Sequence, residues 1–143
     1  MIPIILVDTT YLVDLIRKRV DQESLDNLYD EILFISEISV FELYFGIYAN
    51  KILAKDMKNL KNRIDTLEKI LSRFQRLPFG KNEAIESAKI LGQLKLNGKN
   101  MEFRDGMIAS TGLANGINQI LTRNQSHFDR IPGISVISYR IHD

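Results

Sequence analysis

Apolar positions in this chain fall in two kinds of pattern. Ile4, Ile5, Leu6 and Val7 form an unbroken aliphatic run, and similar runs recur at Ile32–Ser36, Gln119–Thr122 and Ile134–Ser138. Short continuous runs bounded by polar residues suit parallel strands covered on both faces. The first strand is predicted over Pro3–Val7, and a weaker one over Arg76–Phe79. Between these runs the period lengthens. Leu12, Val13, Leu15 and Ile16 have helical spacing, with Thr9 or Thr10 placed to cap their helix. A second helix is expected from Ser39 to about Asn50. Leu53, Met57, Leu60, Ile64, Leu67, Leu71 and Phe74 then step by fours and threes, an amphipathic stripe. Helices over about Asn82–Leu96 and Asp105–Asn115 complete the set, with Gly116 at the C′ position of the last. Strands alternating with helices predict an α/β domain with a mainly parallel sheet. Ligands of such sheets bind beyond the carboxyl ends of the strands, and Asp8 occupies that place for the first.

Composition narrows the class. A chain of 143 residues, 45% hydrophobic and 26% charged, suits one soluble domain over residues 1–143. The absence of cysteine excludes disulfides and thiolate metal sites. MIPIILVDTT lacks the basic region and cleavage site of a signal peptide, and no apolar run approaches the roughly 20 residues of a membrane span. A cytoplasmic protein is expected. Net charge is only +1, but it is unevenly spread. Residues 1–50 carry 3 basic and 9 acidic groups, whereas residues 51–76 carry 8 basic and 3 acidic. The basic segment suits either a polyanion contact or a solvated helix face.

Three carboxylates stand in apolar surroundings. A buried aspartate at the end of the first strand needs a partner, so Asp8 is either a turn and capping residue or part of a site. In SEISVFELYFGIYAN, Glu42 is flanked by aliphatic and aromatic residues, and Ser39-x-x-Glu42 also reads as a capping box. Asp105 opens the helix of FRDGMIASTGLANG, where it suits the helix dipole equally well. All three lie at element ends that a parallel sheet can bring to one edge. Two such charges about 4 Å apart repel by roughly 4 kcal/mol at an effective dielectric of 20. A divalent cation reverses that sign, and hard oxygen ligands favour Mg²⁺ or Mn²⁺. His127 and His142 lack metal-ligand spacing, which argues against zinc.

The segments IILVDTTYLVDL, ISEISVFELYFG, LPF with its following helix, FRDGMIASTGLANG and ILTRNQSHFDRIPGISVI occur in order. This set resembles a PIN domain, specifically a VapC-type toxin ribonuclease of a toxin–antitoxin pair, from about Ile4 to Ile137. The resemblance implies a three-layer α/β/α sandwich around a five-stranded, mainly parallel sheet, and metal-dependent endonucleolytic cleavage of RNA, often tRNA or rRNA. The family's acidic positions fall on Asp8, Glu42 and Asp105, which would hold Mg²⁺ or Mn²⁺. Its fourth polar or acidic position falls on Asn124, with Thr122 as the supporting hydroxyl. This chain departs from relatives at Thr10, often asparagine or serine, and at Gly80, often aspartate. At Asn124 an amide adds no charge for a second metal, and Asp129 nearby is a weak substitute.

The resemblance also implies a homodimer and a VapB-type antitoxin whose C-terminal segment lies in a groove. The helix over 39–50 is apolar on more sides than a solitary surface helix needs, so Phe41, Tyr44, Phe45 and Tyr48 suit an intersubunit surface. Arg104, Arg123 and Lys99 stand near the acidic positions and suit phosphate contacts. Alternatives are a PIN-type RNA-processing nuclease without antitoxin and a catalytically inactive binding module. A receiver-like signalling domain would need a further acid beside Asp8, where Thr9 and Thr10 stand, and an acceptor aspartate where Ile32–Ser36 ends in serine.

Overall fold

The computed structural model describes residues 4–28 and 32–142, without the side chains of residues 26–28. Five strands form one sheet: β1 (Ile4–Val7), β2 (Ile32–Ser36), β3 (Gln75–Leu77), β4 (Gln119–Leu121) and β5 (Ser135–Ile137). Their order is β3-β2-β1-β4-β5 and every pairing is parallel, with Leu6 opposite both Phe34 and Ile120. The predicted strand start at Pro3 lies outside the described residues. The weak strand runs over Gln75–Leu77 rather than Arg76–Phe79, because Pro78 has no N–H with which to extend the ladder.

The helices are α1 (Thr9–Ile16), α2 (Glu37–Tyr48), α3 (Met57–Leu71), α4 (Lys81–Leu96), α5 (Phe103–Ala114) and the short α6 (Gln125–Phe128). Alternate side chains of the strands face opposite ways into two cores. Ile5, Val7, Ile35 and Leu121 pack with Leu12, Val40, Leu43, Leu67 and Leu71 from α1–α3. Leu6 and Ile120 pack with Leu94, Ile108, Ala109, Phe128 and Ile131 on the other side. The result is the expected three-layer α/β/α sandwich. Burial of Ile5, Leu6 and Val7 is essentially complete, and each such side chain contributes about 1.5–3 kcal/mol.

Caps explain where the helices differ from expectation. Asp8, not Thr9 or Thr10, caps α1, its carboxylate accepting the Thr9 N–H. Ser36 caps α2 by accepting the Ile38 N–H at 3.0 Å, so the helix starts at Glu37, two residues before the predicted Ser39. The long stripe is interrupted at Asp56, whose side chain accepts the Asn59 N–H. Leu53 therefore sits in a separate 3-10 turn over Leu53–Lys55. Glu102 caps α5, moving its start from Asp105 back to Phe103. Gly116 follows α5 at φ +75°, the left-handed conformation expected of C′.

Candidate active site

The central strands β1 and β4 and their neighbour β2 end on one rim, and each hands its next residues to that rim. Asp8 follows β1, Thr122 follows β4 and Ser36 closes β2. Asp8 is 2% exposed. One of its oxygens accepts the Thr9 N–H at 2.7 Å, and the other accepts the buried hydroxyl of Thr122 at 2.8 Å. Burial still pushes the Asp8 carboxyl up; the Thr122 hydrogen bond opposes the shift and the charge of Asp105 adds to it.

Glu42 projects from α2 toward the same rim. The earlier start of α2 removes the capping-box role suggested by Ser39-x-x-Glu42, since the N-cap is Ser36. Instead Thr9 donates its hydroxyl to Glu42 Oε1 at 2.9 Å while lying 2.8 Å from Ser39 Oγ. Arg104 approaches the other oxygen at 3.5 Å. Burial pushes this carboxyl up, Thr9 and Arg104 oppose the shift, and the charges of Asp8 and Asp105 add to it. Asp105, in the first turn of α5, is likewise raised by burial, with its 3.1 Å contact to His127 Nδ1 opposing.

The three acids thus come within electrostatic reach of one another from sequence positions 8, 42 and 105. Among the described residues, however, no three His, Asp or Glu side chains are close enough together to hold one ion as they stand. Asp105 is turned toward His127, and Glu42 toward Arg104. The donor set nonetheless fits a hard divalent cation, because it consists of carboxylate oxygens whose mutual repulsion such an ion relieves. Glu42 and Asp105 keep 20% and 23% of their side chains exposed, so both carboxylates are open to solvent on the rim, unlike Asp8.

Asn124 sits on the same edge. Its backbone N–H donates to Thr122 Oγ1 at 2.9 Å, and its amide donates to Thr10 Oγ1 at 3.1 Å. Thr122 therefore accepts from Asn124 while donating to Asp8. The phosphate-contact expectations fare unevenly. Arg123 turns away from the rim and pairs with Asp14, and Arg104 is engaged by Glu102 and Glu42. His127, which the sequence pattern did not single out, reaches Asp105 because α6 folds back beside α5. A cleft of about 270 Å³ opens next to Asp105, lined by Asn100, Met101, Glu102, His127 and Arg130. On the α2 side, Tyr44 donates to Glu68 and is committed to α3, while Phe41, Phe45 and Tyr48 remain exposed.

The PIN domain family model matches residues 5–134. The chain belongs to the PIN-domain family. This PIN domain is 31% identical over 139 residues to "Ribonuclease VapC" of Rickettsia bellii (strain RML369-C), covering 97% of this chain and 98% of that one. It is 33% identical over 110 residues, 77% of each chain, to "tRNA(fMet)-specific endonuclease VapC" of Salmonella typhimurium. In three dimensions the PIN domain matches a chain in the crystal structure of VapBC2 from Rickettsia felis bound to a DNA fragment from their promoter. That match has a TM-score of 0.79 at 24% identity and covers 94% of this chain and 98% of the other. No helix among the described residues of the PIN domain is long and apolar enough to cross a membrane.

Proposed function

We propose that this PIN domain, acting as a single unit over residues 1–143, is a Mg²⁺- or Mn²⁺-dependent endoribonuclease of VapC type and the toxin of a type II toxin–antitoxin pair. The observation that carries the reading is Asp8, almost fully buried at a rim where Glu42 and Asp105 lie within electrostatic reach of it. Folding gains nothing from burying a carboxylate among its like unless something else draws charge there. Kinship with VapC ribonucleases supports RNA as the substrate, and the relative specific for tRNA(fMet) makes tRNA the first to try.

Asp8, Glu42 and Asp105 would hold the ion. When bound, it supplies Lewis-acid polarisation of the scissile phosphodiester and offsets charge on the transition state. Glu42, half-buried and raised, is suited to take the proton of the attacking water. Thr122 and Asn124 hold Asp8 and the α1 terminus in place from behind. Thr9 fixes one Glu42 oxygen, so release of the other from Arg104 is what readies that carboxylate.

A cytoplasmic location, a VapB-type antitoxin and a homodimer complete the reading. Likeness to VapBC assemblies supports the antitoxin, and the exposed Phe41, Phe45 and Tyr48 on α2 support a self-association surface. Incubation of the purified protein with total cellular RNA and Mn²⁺, followed by mapping of new 5′ and 3′ ends, tests the activity. Discrete ends are expected with the parent and none with Asp8→Asn, which should melt as a folded protein. Cleavage by Asp8→Asn at the parental rate would remove Asp8 from the chemistry.

A further inference from the structure

Another almost fully buried acid lies away from the rim. Asp14, on the inner face of α1, is 1% exposed, yet its carboxylate is more fully bonded than any at the rim. Arg123 grips it with two nitrogens, Nε at 2.5 Å from one oxygen and Nη2 at 3.2 Å from the other. Tyr139 donates its hydroxyl at 2.6 Å, and Arg19 stands 3.9 Å away. Burial alone would push the Asp14 carboxyl up, but the bonds from Arg123 and Tyr139 hold it below the usual range.

Arg123 is the residue between Thr122 and Asn124. Thr122 sends its hydroxyl to Asp8, and Asn124 sends its amide to Thr10. The same three-residue segment is thus fastened inward to Asp14 and outward to the acidic rim. A buried ion pair is poor evidence for stability, because desolvation consumes much of the Coulomb gain; fixing one arrangement among several is its better-attested use. A two-pronged guanidinium sets the plane and distance of its backbone in a way that a lysine ammonium does not.

We infer that Asp14 and Tyr139 are positioning residues of the nuclease site, which clamp Arg123 and through it set Thr122 against Asp8 and Asn124 against Thr10. The inference rests on the nuclease reading for its kinetic consequence, but the clamp itself can be read without cleavage. Arg123→Lys keeps the charge and loses the fork. It should lower kcat per folded molecule by about tenfold or more with little change in KM, the scale seen when groups supporting a site are removed. Combined with Thr122→Val, it should add little beyond Thr122→Val alone, since both act through one hydroxyl.

Amide hydrogen exchange supplies the readout that needs no substrate. The Asn124 N–H, bonded to Thr122, should exchange about tenfold faster in Arg123→Lys while Ile120 in β4 stays protected. Tyr139→Phe, which removes one hydroxyl and no charge, should show the same pattern at smaller size and serves if Arg123→Lys does not fold. A lower melting temperature with unchanged kcat and unchanged Asn124 exchange would make the cluster purely structural and overturn the proposal. A raised KM with unchanged kcat would return Arg123 to phosphate binding and overturn it too. If the parent cleaves no RNA, the nuclease reading fails, and the exchange data alone decide the clamp.

Discussion

Asp8 carries a charge that its surroundings penalise, and so do Glu42 and Asp105. A carboxyl whose folded pKa is raised favours the folded state when protonated. Its contribution is full below the ordinary value near about 4 and is lost as pH rises through the raised one. With chelator present, the melting temperature should therefore climb as pH falls from neutral toward the ordinary carboxylate range, and Asp8→Asn should flatten the climb. Asp14 and Glu102, both held low, act with opposite sign, stabilising above the ordinary value and losing effect only in stronger acid. Mn²⁺ should raise the parental melting temperature at pH 7, progressively less toward pH 5 as protons compete, and leave Asp8→Asn unmoved. Differential scanning fluorimetry over a pH and Mn²⁺ grid checks both. Each of the three acids drew notice in the sequence, but each also had an ordinary capping or dipole role there, and it took the family resemblance to assign them to one site. Their orientation was not legible. Glu42 looked like half of a capping box because Ser39 stands three residues before it, and only the observed cap at Ser36 frees it. Arg123 suited a phosphate contact, since nothing local shows that Asp14, 109 positions earlier, waits beneath it.

Among the elements, the strands were the easiest to read, because burial on both faces forces the uninterrupted aliphatic runs of β1 and β2. Helix starts were harder. Several candidate caps stood within three residues of one another, and the choice between Asp8 and Thr9, or Ser36 and Ser39, depends on where the preceding strand releases the chain. What brings α5 close enough to present Asp105 is also partly invisible in the pattern. Gly112 lets α5 press onto β1, for a Cβ there would come within 3.0 Å of both the Ile117 carbonyl oxygen and Leu6 Cδ2. Since the carbonyl belongs to a tight turn, it cannot swing aside as a side chain would. Gly112→Ala should cost about 1–3 kcal/mol, measured by urea denaturation, and should lower cleavage in proportion to any tilt of α5.

At the scale of the whole molecule, the outer face of α2 is an aromatic surface that the fold leaves uncovered. Phe41 and Phe45 stack at 5.7 Å between ring centroids, Tyr44 and Tyr48 at 6.4 Å, and Phe41, Phe45 and Tyr48 each remain more than half exposed. Aromatic patches of this kind mark contacts with another protein more often than bare solvent faces. If a second copy covers it, Phe45→Glu should shift the sedimentation profile from dimer to monomer while leaving the circular dichroism spectrum intact. The basic stretch 51–76 belongs largely to α3, and its last residue, Arg76 in β3, forks onto Glu37 and ties β3 to α2. The order of strands has a last consequence. Asp8 leaves the ribosome 114 positions ahead of the threonine that supports it, and β1 gains its β4 neighbour only through residues 119–121. A ribosome making this polypeptide meets no finished cutting edge until that distant stretch has cleared the exit tunnel.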